Sequence, residues 1–254
     1  MARAWIALGG NLGNVPQTFR AACLSLSRQP ELELIRSSGI YRTAPVGDDA
    51  GSAFFNAATA WETALSPLEL LQRLQQAEDA AGRTRDLRWG PRPLDLDLIQ
   101  FGDTIVQKPQ LTVPHPAAWY RRFVLDPVCE FAPDVRHPLH WKPWGELRQR
   151  LLPRPLRVAI FGGSAVDRTA IVATLKPAFP AADLRVAESA YEVPDAGLRI
   201  WLGPTTDGVE SQPPPLSVNG SSWGAQSIEQ ARYVLTSALD VPERIGDWPA
   251  APAI

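Results

Sequence analysis

The sequence predicts an α+β fold, helices layered on a mostly antiparallel sheet, followed by a smaller α/β unit. Three observations carry that expectation. Short apolar or alternating runs interchange with amphipathic ones in the order β-α-β-β-α-β. One amphipathic run, Pro67 to Ala81, has strong helix caps at both ends. Past Val135 the chain turns rich in proline and tryptophan, and a second alternation of strands and helices begins at Arg157.

Arg3 to Leu8 reads as the first strand, ending in the turn-rich Gly9-Gly10-Asn11-Leu12-Gly13-Asn14. From Pro16 to Ser27, the spacing of Phe19, Ala22, Cys23 and Leu26 gives a helix with one buried face. Leu32 to Tyr41 and Phe54 to Glu62 follow as strands, separated by a loop over Thr43 to Ser52. In the next helix Ser66 is the N-cap, Pro67 takes the first helical position, Glu69 completes a capping box and Gly82 stops the helix. Leu68, Leu71, Leu74 and Ala81 are expected to face the sheet, with Gln75 and Glu78 on an adjoining stripe. An arginine-rich loop, Arg83 to Pro93, precedes a strand from Leu94 to Phe101. We expect one domain over residues 1–152 and a second, a small α/β domain, over 156–254.

Composition narrows the function. Of the 254 residues 45% are hydrophobic and 20% charged, the balance of a folded globular protein. A net charge of −2 supplies no long-range attraction to nucleic acid or to an anionic membrane, so an anion site must be built locally from arginines. Cys23 and Cys129 lack neighbours at metal-ligand spacing and are expected to be core thiols. No apolar run suits a membrane span and the first residues do not resemble a signal peptide, so the expected setting is the cytoplasm.

The chemistry concentrates in Arg88-Trp89-Gly90-Pro91-Arg92-Pro93-Leu94-Asp95-Leu96-Asp97-Leu98-Ile99. On a strand, Leu94, Leu96 and Leu98 turn to the core while Asp95 and Asp97 share the other face. Two like charges about 7 Å apart repel unless a cation joins them, and magnesium suits an all-oxygen pair. A bare Asp-x-Asp is more often a solvated strand face. Here Arg83, Arg85, Arg88 and Arg92 crowd just upstream, and arginine is the side chain best shaped for phosphate oxygens.

These residues resemble the signature of the 6-hydroxymethyl-7,8-dihydropterin pyrophosphokinases. Other segments agree in order: Ala7 to Gly13, although the family usually has serine where this chain has Gly10; Tyr41 to Gly47; Phe54 to Ala58; and Leu111 to Pro116 with Arg121, Phe123, Val124 and Leu125. The resemblance covers about Ala2 to Asp134. It implies a ferredoxin-like fold and transfer of a diphosphate from the co-substrate ATP to 6-hydroxymethyl-7,8-dihydropterin, in folate biosynthesis. By matching position it implies that Asp95 and Asp97 hold two magnesium ions. Arg83, Arg85, Arg88, Arg92, Arg121 and His115 would contact ATP, with Gln75 and Glu78 near the nucleotide; Arg83 and Arg92 join the two aspartates as the catalytic set. Phe54 and Phe123 would sandwich the pterin, Asn56 would hydrogen-bond its edge, the backbone of Thr43, Ala44, Pro45 and Val46 would complete the pocket, and Trp89 would close over it. Each has a plainer reading: Phe54 and Phe123 as core aromatics, His115 as a turn cap. A buried Asn56, by contrast, needs polar partners, which a pterin offers. No general base stands out. The runner-up for the chain is a non-catalytic pterin or nucleotide sensor on the same fold.

The tail lies outside the resemblance. Gly162-Gly163-Ser164 between a strand and a helix could cradle an anion, but a simple turn is the commoner use. We expect a docking domain with a protein partner; a degenerate nucleotide-binding enzyme domain is the alternative.

Overall fold

The computed structural model describes residues 1–44, 52–83, 91–204 and 216–248. In chain order the elements are β1 (Ala2–Gly10), α1 (Val15–Ser27), β2 (Leu32–Ser37), β3 (Ile40–Thr43), β4 (Phe54–Thr63), α2 (Pro67–Ala80) and β5 (Asp95–Phe101). There follow β6 (Val106–Lys108), β7 (Leu111–Val113), α3 (Arg122–Val128), α4 (Trp144–Gln149), β8 (Leu156–Phe161), α5 (Ala165–Leu175) and β9 (Ala182–Val186). The last are β10 (Leu198–Trp201), β11 (Val218–Asn219), α6 (Ser227–Leu239) and β12 (Glu243–Gly246). Among the described residues no helix is long and apolar enough to cross a membrane.

The chain divides into two compact units: Met1–Trp119, Phe123–Gly145 and Asp240–Ile254 form one, Tyr120–Arg122 and Glu146–Leu239 the other. Against the expected division between residues 152 and 156, residues 120–122 and 146–152 fall in the second unit. The end of the chain belongs to the first unit, because β12 pairs antiparallel with β3.

The first unit is a mixed α/β body built on an antiparallel sheet. Its six described strands run β12-β3-β4-β1-β5, with β2 also on β4. The expected strand from Leu32 to Tyr41 is in fact two. At the break the Ser38 hydroxyl accepts the Ala58 N–H at 2.9 Å, while the Ser38 N–H donates to the Ala58 carbonyl, also at 2.9 Å. A side chain thus takes a place that a strand carbonyl would hold, and the ladder resumes at Ile40.

One face of the sheet makes the core. Ile6 and Leu8 of β1, Ala57 and Trp61 of β4 and Leu96 and Leu98 of β5 pack on Phe19, Cys23 and Leu26 of α1 and on Leu70 and Leu74 of α2. Burial pushes the Cys23 thiol up to about 12, as an inert core group should be. Helix α2 has its predicted capping box, and Gly82 takes a φ of 83° just beyond it. Its fully buried positions, however, are Leu70, Leu74 and Glu78; Leu68, Leu71 and Ala81 are only partly buried against the core. The stripe is rotated from the one expected, and Glu78 faces inward.

The alternation of β5 is as predicted until Ile99. There a bulge opposite Trp5 and Ile6 shifts the phase, so that Phe101 joins Leu96 and Leu98 while Gln100 turns to the other face. On that second face Trp5 meets Phe131 and Trp144 edge-on, at 6.2 Å and 5.7 Å between centroids. Trp144 donates its indole N–H to Gln100 at 2.8 Å. His137 lies 5.1 Å from Trp144, and its Nδ1 accepts the N–H groups of Leu139 and His140 at 3.2 and 3.3 Å.

In the second unit the sheet is parallel, in the order β11-β10-β8-β9. The turn from β8 to α5 requires glycine: a Cβ on Gly162 would stand 2.3 Å from the Gly203 carbonyl oxygen, at a φ of 71°. Ser164 caps α5 by accepting from Asp167 N–H at 3.1 Å, and buried Arg168 donates to the carbonyls of Gly162 and Gly163 at 3.0 and 3.1 Å. The protein's own groups fill this turn.

Burial, then the neighbouring His140, lowers the His137 pKa from the ordinary 6.5 to about 3. The unfolded chain takes up a proton near 6.5 that the folded state refuses, so the contribution of His137 is whole above that pH and shrinks as pH falls toward 3. Urea unfolding between pH 7 and 4 should show stability falling with acid at up to about 1.4 kcal/mol per unit from this group. His137→Asn keeps a side-chain acceptor for the two N–H groups and should flatten that dependence; parallel curves for the two proteins would refute it.

Candidate active site

The second face of the first unit's sheet carries three of the predicted site residues, Asn56, Asp95 and Asp97. Register places Tyr41, Asn56, Gly9 and Asp95 side by side on β3, β4, β1 and β5. The next row on the same face is Ala58, Ala7 and Asp97. Asp95 and Asp97 therefore do emerge together, beside residues too small to cover them, and both stay partly exposed. A Cβ on Gly9 would lie 3.7 Å from both Asn56 Oδ1 and Asp95 Cβ, so this glycine is the floor between the amide and the carboxylate.

The charges interlock. Arg83 Nη1 bridges Glu78 Oε1 and Asp95 Oδ1, and Arg92 Nη1 meets Asp95 Oδ2 at 3.0 Å. Glu78 Oε1 also accepts the Leu96 N–H at 2.7 Å. Burial works against the Arg83 charge, but Asp95 and then Glu78 outweigh it and hold the guanidinium above its usual range. Glu78, expected near the nucleotide, is thus a buried tether joining the end of α2 to the start of β5. Gln75 lies partly buried on the same helix, one residue beyond Leu74.

Asn56 Nδ2 donates to Thr43 Oγ1 at 2.9 Å, which ties the end of β3 to β4 and orients the amide. Ala44 is exposed just beyond Thr43, Phe54 is partly buried at the start of β4, and Phe123 is partly buried in α3. His115 has the geometry of its turn-cap reading: Nδ1 accepts the Ala117 N–H at 3.2 Å, which puts the proton of the neutral ring on Nε2. Arg121 belongs to the second unit, its guanidinium 5.3 Å over the Tyr233 ring. Pro45, Val46, Arg85, Arg88 and Trp89 lie outside the described residues.

Asn11 lies beside the candidate site and lacks a role in the sequence-based expectation. It is buried; its N–H donates to the Arg92 carbonyl at 2.9 Å and its Oδ1 accepts the Arg92 N–H at 2.8 Å. On its other side the Asn11 carbonyl accepts the Ser52 hydroxyl at 3.1 Å. One residue thereby fixes both the arginine segment and the end of the loop before β4. An asparagine inside a glycine-rich turn was the only signal. Next to it, Gly10 is explained by close approach: a Cβ there would stand 2.6 Å from the Pro93 carbonyl oxygen.

Among the described residues no group of three or more histidine, cysteine, aspartate or glutamate side chains could hold a metal. Two carboxylates are nonetheless what a magnesium ion needs when phosphate and water supply its other ligands. Carboxylates on one sheet face met by arginines from the segments beside it are the donor set of the polyphosphate-handling class of proteins.

Comparisons with known proteins identify its family. The family model described as 7,8-dihydro-6-hydroxymethylpterin-pyrophosphokinase (HPPK) matches residues 5–133. The chain is 43% identical over 136 residues to the 2-amino-4-hydroxy-6-hydroxymethyldihydropteridine pyrophosphokinase of Pseudomonas aeruginosa, covering 54% of this chain and 84% of that one. The proteins of the same name from Bacillus subtilis and Haemophilus influenzae are 42% and 40% identical, covering 52% and 54% of this chain and 79% and 86% of theirs. The chain belongs to the 7,8-dihydro-6-hydroxymethylpterin-pyrophosphokinase family.

Gly9→Val tests the floor. Valine favours a central strand, so the thermal midpoint should move little. The added methyls would fill the gap between Asn56 and Asp95 and lower turnover on the order of a hundredfold by misplacing substrate. Full activity in a folded variant would show that no substrate crosses this row.

Proposed function

We propose that the first unit transfers the terminal diphosphate of ATP to the hydroxymethyl oxygen of 6-hydroxymethyl-7,8-dihydropterin. The convergence of Asp95, Asp97, Arg83 and Arg92 beside Asn56 carries this reading. The hydroxymethyl oxygen forms a bond to the β-phosphorus, and the bond from that phosphorus to the oxygen bridging the α-phosphate breaks. AMP leaves with the bridging oxygen, and the hydroxyl proton is lost to solvent. The strand order of the first unit supports reading it as ferredoxin-like.

Asp95 and Asp97 would hold magnesium, and their two adjacent carboxylates support a pair of ions; bound there, the metal offsets the negative charge of the polyphosphate. Arg83 and Arg92 pair with Asp95 and would turn from that carboxylate to phosphate oxygens as ATP binds. Their charges then stabilise the departing phosphate, and fixed donors of this kind need little reorganisation during reaction. His115 adds its Nε2–H as a phosphate donor. Phe54 and Phe123 hold the pterin by stacking, and Asn56, oriented by Thr43, reads its polar edge. The end of β3 at Thr43, with Ala44 just beyond it, completes the pterin side.

We read the second unit as a docking module for a protein partner. Its glycine turn is taken up by Ser164, Asp167 and Arg168, which supports a turn without a nucleotide.

AMP release in the presence of dihydropterin, ATP and magnesium tests the main reading; folded protein that makes none is a sensor rather than an enzyme. Asp97→Ala removes a side chain that points away from the core, so melting should be unchanged while kcat falls roughly a hundredfold or more. Wild-type rates in that variant would defeat the metal role.

A further inference from the structure

The family match ends at residue 133, yet the sheet of the first unit is completed by β12, which follows the second unit in sequence. We propose that β12, acting through Arg244, is a positioning element for the pterin side of the site. This rests on the function proposed above.

The strand is placed in register with the site. Glu243 pairs with Arg42, Arg244 with Tyr41 and Gly246 with Ile40, with a bulge between Arg244 and Gly246. Arg244 therefore heads the row that continues through Tyr41, Asn56 and Gly9 to Asp95. Its side chain acts on β3 at a second point. Arg244 Nε donates to Glu130 Oε1 at 3.1 Å, and the same oxygen accepts the Tyr41 hydroxyl at 2.6 Å. Glu130 Oε2 accepts the Gly39 N–H at 3.0 Å. Glu130 thus holds the start of β3 by a backbone group and a side chain, and Arg244 neutralises the carboxylate that does so.

The remainder of the strap fastens it to both faces of the sheet. Arg42 pairs with Glu243 and Arg244 with Asp247. Two residues after β12, the Trp248 ring packs on Phe19 of α1, 5.8 Å between centroids, on the core side. An edge strand that would otherwise present unpaired backbone groups is thereby covered and held.

The effect should be specific to pterin. Strand β3 ends in Thr43, the partner of Asn56, and runs straight into the loop before β4. Asp95 and its arginine partners attach to β5 at the opposite edge, with β4 and β1 between.

The test exploits Gly39. A Cβ on this residue would stand 2.6 Å from Arg244 Nε, the mobile end of a long side chain, and Gly39 lies outside the left-handed backbone region. Gly39→Ala should therefore displace the Arg244 guanidinium without truncating it. In the full chain, Arg244→Ala and Gly39→Ala should each raise the KM for pterin roughly three- to tenfold, with kcat and the KM for ATP changed by less than about twofold. The double variant should show no further rise, since both changes remove one contact.

Calorimetric binding of pterin, with magnesium and a non-hydrolysable ATP analogue present, should weaken by the same factor. That measurement decides the matter independently of turnover. Unchanged pterin affinity in both variants overturns the positioning role. So does an equal loss toward both substrates, which marks general loosening. Wild-type protein that binds pterin but releases no AMP would instead overturn the catalytic reading and leave the strap to be judged on binding.

Discussion

A carboxylate buried at the end of a helix sets the geometry of this protein. Glu78 is almost wholly shielded, and an unmet charge there would cost several kcal/mol. The Leu96 N–H and Arg83 meet it, and in doing so they fix the first residues of β5 against α2. Arg83 then has its remaining reach directed at Asp95. A structural ion pair and a candidate catalytic one share a single guanidinium, so core and site cannot be repacked separately.

Much of this was legible in advance because it follows from local rules. Period-two alternation in Leu94 to Leu98 put the apolar side chains on one face and Asp95 with Asp97 on the other. The Ser66 and Glu69 capping box located α2 almost to the residue. Less legible were features decided by contacts distant in sequence. Glu78 reads only as a member of a stripe beside the buried one until the Leu96 amide is placed next to it. Ser38 breaks a strand only because Ala58 lies opposite. The short helix α3 contains Pro127, which argues against a helix on propensity alone. The signature loop could be recognised from the order of its residues, while Asn11, which fixes Arg92, lacks a pattern of its own.

The two faces of the first sheet divide the work. One is a conventional core under α1 and α2. The other is aromatic where Trp5, Phe131, His137 and Trp144 meet, and gives way to glycine, alanine and polar side chains along the rows that carry Asn56, Asp95 and Asp97. The bulge at Ile99 serves this division. It lets one strand change phase between its site end and its packed end, so that Gln100 can reach Trp144 without pulling Phe101 out of the core.

The return of the chain to its first sheet also orders events on the ribosome. Domains emerge N-terminus first, so strands β1 to β5 can assemble while β3 still lacks its outer neighbour, and the second unit must be translated before β12 appears. Throughout that interval the nascent sheet carries an open lateral edge, the kind of surface that pairs with other chains or attracts a chaperone. Maturation of the first unit is thus timed by the synthesis of a unit that contributes no strand to it.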